Sequence, residues 1–187
     1  MYFNTKGPVN TAAAIELAIQ EGLKRDISHI IAASNTGKTA EILAGEAKKA
    51  GYTGKLVCVT HVNGFRENGK NELTEENRAR LEALGVQFYT ASHLLSGAER
   101  AISNKFQGAY PVEIIAHTLR MLGAGMKVCV EIAVMALDGG LIPWGKPVIA
   151  IGGSGSGADT TVILSPAHGS AIFETRVHEI LCKPTLV

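Results

Sequence analysis

The chain has 187 residues, enough for one compact domain with a sizeable core and no covalent staples. Hydrophobic residues make up 46% and charged residues 19%, a balance that excludes an intrinsically disordered chain. A net charge of +1, with no basic run beyond two adjacent residues, leaves no electrostatic footprint for nucleic acid.

Asn10 or Thr11 can cap a first helix that runs to about Leu23, with Ala12, Ile15, Ala18, Ile19 and Leu23 as its buried stripe. Residues 27–33 read as a strand, and a helix from about Gly37 to Ala50 follows, ended by Gly51. Lys55 to Thr60 is a second strand, apolar enough to be buried on both faces. The loop after it carries Asn63, Gly64, Asn68, Gly69 and Asn71 and is long enough to be functional. Thr74 starts an exposed helix to Leu84, in which Glu76 and Arg80 stand at i,i+4. Val86 to Thr90 is a third strand, and residues 92–106 read as a loop with a short helix.

Val112, Ile115, Ala116, Leu119 and Leu122 then form a helical stripe, broken at Gly123-Ala124-Gly125. Val128 to Leu137 is apolar almost all round, and its length favours a buried helix over a strand. A fourth strand spans residues 147–151, and residues 160–164 and 173–182 read as two closing strands with an antiparallel relation. Strands alternating with helices at this spacing imply right-handed crossovers and a parallel sheet. The expectation is a three-layer α/β fold over 1–187, with a mostly parallel sheet and an antiparallel edge.

Cys58, Cys129 and Cys182 are odd in number, far apart and without Cys-x-x-Cys spacing, so buried reduced thiols in a cytoplasmic protein are expected. The apolar run at 128–137 carries Glu131 and is too short to cross a bilayer. Met1 to Pro8 lacks the hydrophobic region of a signal peptide. No membrane partner is expected. His117, His168 and His178 show no metal spacing with carboxylates or thiols, so no metal site is expected either.

Two glycine-bearing turns carry the candidate chemistry. The first, Ser34-Asn35-Thr36-Gly37-Lys38-Thr39, joins a strand to a helix N-terminus. Its N–H groups, its hydroxyls and the Lys38 ammonium suit a phosphate, although Ser, Asn and Thr can also serve only to cap the helix. The spelling is one residue from a Walker A motif, with Ala32 at the place of the first glycine. That loss, and the lack of a strand ending in a magnesium-holding Asp, argue against nucleotide hydrolysis.

The second turn is Gly152-Gly153-Ser154-Gly155-Ser156-Gly157, followed by Ala158 and Asp159. Its glycines let backbone approach a ligand, and a flexible hairpin-like turn is the structural alternative. The spacing is not that of a dinucleotide fingerprint, nor of a nucleophile elbow. At the end of the second strand, Thr60, His61 and Phe65 can bond a phosphate and stack on a heterocycle. A satisfied loop histidine is the other reading. His93 holds the comparable place after the third strand. Gly123 to Lys127 reads as a further helix-terminus donor or as a helix–helix corner, and Glu131 as an acid/base group or a helix-locking hydrogen bond.

Ala33 to Ala40 before a helix, Leu56 to Thr60 as the next strand, and Gly152 to Thr160 before a closing strand resemble the C-terminal α/β domain of pyruvate kinases. The resemblance spans about Asn10 to Leu181 and is closer to stand-alone proteins of this type. With them the chain shares Gly7-Pro8-Val9-Asn10-Thr11, the Ser-x-Thr-Gly-Lys-Thr turn and the Gly-Ser-Gly-Ala-Asp-Thr loop. It implies a mixed sheet between helices, and flavin mononucleotide (FMN) as the ligand that stand-alone members hold. Carried onto this chain, Ser34, Asn35, Thr36, Gly37, Lys38 and Thr39 form the phosphate turn and Gly153, Ser154, Gly155, Ser156, Gly157 and Asp159 its partner loop.

Lys38 and Asn35 depart from the kinase pattern, and no barrel with metal and phosphoenolpyruvate residues is present, so pyruvate kinase activity is not expected. The expectation is a phosphate-anchored binding protein for FMN with a possible redox role. A regulatory or scaffold module for a phosphorylated metabolite, and a homo-oligomer joined through residues 126–138 or the closing strands, stay open.

Overall fold

The computed structural model describes residues 1–185. Seven strands form one sheet: β1 (Tyr2–Phe3), β2 (His29–Ala33), β3 (Lys55–Thr60), β4 (Val86–Thr90), β5 (Val148–Gly152), β6 (Thr160–Ser165) and β7 (Arg176–Pro184). Six helices accompany them: α1 (Thr11–Lys24), α2 (Lys38–Ala50), α3 (Glu75–Glu82), α4 (Gly97–Phe106), α5 (Pro111–Arg120) and α6 (Ala124–Asp138). The strand order is β1-β7-β6-β5-β2-β3-β4, with β6 antiparallel to both of its neighbours and every other pairing parallel. This is the three-layer, mostly parallel architecture with an antiparallel edge that the alternation of elements implies.

Because side chains of a strand alternate between faces, each strand feeds two cores. Ile30, Ala32, Cys58, Ile149 and Ile151 join α1 and α2 on one side. Ile31, Val57, Val59, Val148 and Ala150 meet α6 on the other. Twelve of the fifteen residues of α6 are buried, which accounts for a helix apolar almost all round. Among the described residues no helix is long and apolar enough to cross a membrane. All three cysteines are buried and free, and burial pushes the Cys58 thiol up to about 12.

Several sequence expectations need correction. The buried face of α1 is Thr11, Ala14, Ile15, Ala18, Ile19 and Gly22, while Ala12 and Leu23 face solvent. The helix lies so close to its neighbours that a Cβ on Gly22 would stand 3.0 Å from the Tyr52 ring, so a glycine that apolar periodicity does not mark joins Ile15, Ala18 and Ile19 in the contact. Arg80 pairs with Glu41 of α2 at 2.5 Å, across two helices, and not with Glu76 of its own helix.

Within α5 only Ala116 is buried, because that helix packs shallowly on α6, away from the sheet. Residues 97–106 form the ten-residue α4, longer than the short helix expected. Phe173 lies in a 3₁₀ turn, 81% exposed, outside the last strand. The two-residue β1, parallel to β7, is too short to leave an alternation pattern.

Candidate functional site

From β2 the chain steps outward to β3 and β4, then returns through α4–α6 to place β5 on the opposite side of β2. Loops leaving the carboxyl ends of β2 and β5 therefore diverge, and ligands of open α/β sheets bind in such a crevice. A cleft of about 760 Å³ opens there. Ser34, Asn35, Thr36, Lys38 and Thr39 line one wall, and Gly153, Gly155, Ser156 and Gly157 line the facing one. Thr60, His61, Phe65 and His93 extend it past β3 and β4, with Val128, Glu131, Ile132 and Met135 of α6 beneath.

The β2–α2 turn is held by its own groups. Gly37 is the N-cap of α2, and the Thr39 N–H of the first turn donates to Ser34 Oγ at 3.2 Å, so Ser34 satisfies a helix-terminal donor while it lines the cleft. Gly37 has φ 90°, and a Cβ on it would stand 2.8 Å from Leu81 and 3.0 Å from Leu73. Only glycine fits. Gly37 thus turns the chain behind the wall and is not part of the lining.

The glycine loop is organised from below by Asp159, which is fully buried. Its carboxylate accepts the Gly7 N–H at 2.8 Å, the Ser154 N–H at 3.2 Å and the Thr160 hydroxyl at 2.9 Å. The Ala158 N–H donates to Thr11 Oγ1 at 2.9 Å. A Cβ on Gly153 would meet the Gly157 carbonyl oxygen at 2.3 Å, so the loop closes on itself at that glycine. Asp159 and Ser154, both expected to touch a ligand, are not in the lining: the Asp159 carboxylate is taken up by donors inside the fold.

Beyond Thr60, two histidines meet. Thr60 and Thr90, paired across β3 and β4, share a hydroxyl hydrogen bond of 2.6 Å. His61 Nδ1 donates to Glu72 Oε2 at 2.6 Å, and Arg66 approaches the same carboxylate at 3.6 Å. The His61 ring lies 3.8 Å from that of Phe65 and 5.1 Å from that of His93. Burial holds the His93 imidazole below the usual histidine range, against the pull of Glu131.

Glu131 itself pairs with Lys127 one turn earlier and accepts the Leu95 N–H at 2.8 Å. The hydrogen-bonded alternative for Glu131 is therefore realised, in a side chain that also reaches the cleft. Burial lowers the Lys127 ammonium from the usual lysine range, with Glu131 opposing. The Gly123 to Lys127 corner packs against β6: a Cβ on Gly125 would stand 2.2 Å from Thr160 Oγ1.

Pro8, Thr11, Arg66, Glu72, Val128, Ile132 and Met135 line the cleft without having been expected there. The Gly7 to Thr11 segment did carry a signal, as one of the stretches shared with stand-alone proteins of this type. The α6 residues carried none, because a helix apolar all round does not show which face meets a cleft.

The fold and the cleft define a doubly wound α/β domain with its crevice at the β2/β5 switch point. The family model for the pyruvate kinase alpha/beta domain matches residues 12–164, and the chain belongs to that family. Among solved structures it is similar to a pyruvate kinase of Cryptosporidium parvum, at 17% identity over 75% of this chain and 20% of that one, with a TM-score of 0.36. The same organism's pyruvate kinase in complex with ADP matches at 16% identity over 82% and 22%, with a TM-score of 0.40. A further crystal structure of that enzyme matches at 15% identity over 92% and 23%, with a TM-score of 0.36. The chain spans about a fifth of the length of these pyruvate kinases.

Proposed function

We propose that this chain is a phosphate-anchored binding protein whose ligand is FMN. The observation that supports this most is the meeting of the two turns across one cleft, hydroxyls and Lys38 on one side and glycine backbone on the other. Gly155, with φ 88° and open space where a Cβ would stand, leaves room for a phosphate oxygen to approach the backbone. The α2 terminus contributes only ~0.3–1 kcal/mol, so the hydroxyls and Lys38 carry most of the hold on an anion. The identity of the ligand comes from the resemblance to stand-alone members of the family. A bound flavin would bring the redox chemistry of its own ring, while the residues around it bind, orient and exclude water.

Titration of the purified apo protein with FMN, followed in the flavin absorbance bands, tests this reading. Saturable binding that falls about tenfold or more in a Lys38→Ala/Thr39→Ala variant is expected. Absence of saturable binding, or affinity untouched by that variant, overturns it. If sugar phosphates raise thermal stability and flavins do not, the chain is a module for a phosphorylated metabolite instead.

A further inference from the structure

Along the sheet edge the loops follow the strand order β5, β2, β3, β4. Neighbouring strands lie about 4.8 Å apart, so the gap between β3 and β4 sits roughly 10 Å from the gap between β5 and β2. The phosphate turns occupy the second gap, and the His61, Phe65 and His93 rings gather beside the first. A short polyol linker covers that span.

These rings are not a closed loop core. Phe65 remains 47% exposed although its ring is 3.8 Å from His61 and 5.4 Å from His93. All three line the same cleft. Glu72 fixes the tilt of His61 through its Nδ1 hydrogen bond, which orients the platform. The His93 ring nitrogens, in contrast, make no hydrogen bond among the described residues, so they are free to meet an incoming polar edge.

We propose that His61, Phe65 and His93 form a second subsite of the cleft, a platform for a planar heterocycle, with His93 hydrogen-bonding the edge of the ring. It rests on the phosphate reading above for the other end of the same ligand. Aromatic side chains stack on flat heterocycles with little regard to their identity, so the platform selects shape, and His93 adds direction. An imidazole kept neutral by burial offers one donor and one acceptor nitrogen, which suits a ring edge with alternating N–H and C=O groups.

Calorimetric titration with FMN, riboflavin and inorganic phosphate separates the two ends. Phe65→Ala, at a half-exposed position, is expected to weaken FMN and riboflavin about tenfold and to leave inorganic phosphate unchanged. His93→Gln is expected to weaken the same two ligands, and Lys38→Ala/Thr39→Ala to weaken FMN and phosphate but not riboflavin. Unchanged FMN and riboflavin affinity in both Phe65→Ala and His93→Gln overturns the platform while leaving the phosphate turns standing. Riboflavin binding that responds to Phe65, in a protein that ignores inorganic phosphate, upholds the platform and overturns the phosphate reading. If none of the three ligands binds, both fall.

Discussion

The Gly7 N–H donates at 2.8 Å to the Asp159 carboxylate, 152 positions along the chain. That bond ties the N-terminal segment to the glycine loop. Replacing Asp159 with Asn keeps the size and an acceptor oxygen for the Gly7 and Ser154 N–H groups, but it removes the charge and turns an amide N–H₂ toward Thr160, whose hydroxyl must then accept instead of donate. The Asp159→Asn variant is expected to lose about 1–2 kcal/mol in chemical denaturation, the cost of exchanging hydrogen bonds to a charged group for weaker neutral ones. Proteolysis after residues 1–10 is expected to quicken in the same variant. A stability within about 0.5 kcal/mol of the parent would mean that the loop is held by other contacts.

The Lys127–Glu131 pair is buried, with side chains only 8% and 6% exposed. Glu131→Gln keeps an acceptor for the Leu95 N–H but strands the Lys127 charge, and a loss of about 3–5 kcal/mol is expected. Lys127→Met in that background is expected to recover a large part of it. A double-mutant cycle measures the coupling, expected at about 2–3 kcal/mol, and strictly additive losses would contradict the pairing.

Two glycines of the same segment are expected to respond in opposite directions. Gly37→Ala meets a positive φ and two leucine methyls, so a loss of about 2–4 kcal/mol is expected, together with any ligand binding at the β2–α2 turn. Gly45→Ala lies inside α2, with open space where its Cβ would stand, and is expected to gain about 0.5–1 kcal/mol. Thermal melts of the two variants provide the comparison.

His29 and His93 are both held below the ordinary value of 6.5 by burial, with the Lys55 charge adding to the effect at His29. The unfolded chain therefore takes up protons first as pH falls. Stability is full above about pH 6.5 and is lost as pH drops toward the folded-state values. Melting temperature is expected to decline between about pH 7 and pH 5, and His29→Gln to flatten part of that decline. Glu41, lowered from 4.5 by its Arg80 partner, acts only at more acid pH and does not enter this window. A flat profile above pH 5 in the parent protein would contradict the burial of these rings.

Local patterns were enough to find β3 and β4 at their observed bounds, Lys55–Thr60 and Val86–Thr90, and to place α2 between a hydroxyl turn and Gly51. Short apolar runs, helix caps and glycine turns are properties of a few consecutive residues, so sequence carries them directly. Both turns and most of the residues that line the cleft were legible for the same reason.

Other features belong to the fold alone. Arg80 passes over Glu76 for Glu41, Asp159 turns inward to Gly7 and not out to a ligand, and His93 comes within 5.1 Å of His61. Each of these depends on which strand lies beside which. Hydrophobic burial drives strands together without naming partners, so β5 reaches β2 only through packing of the whole chain. The sequence by itself determined the turns; the tertiary structure decided that they face each other across one cleft.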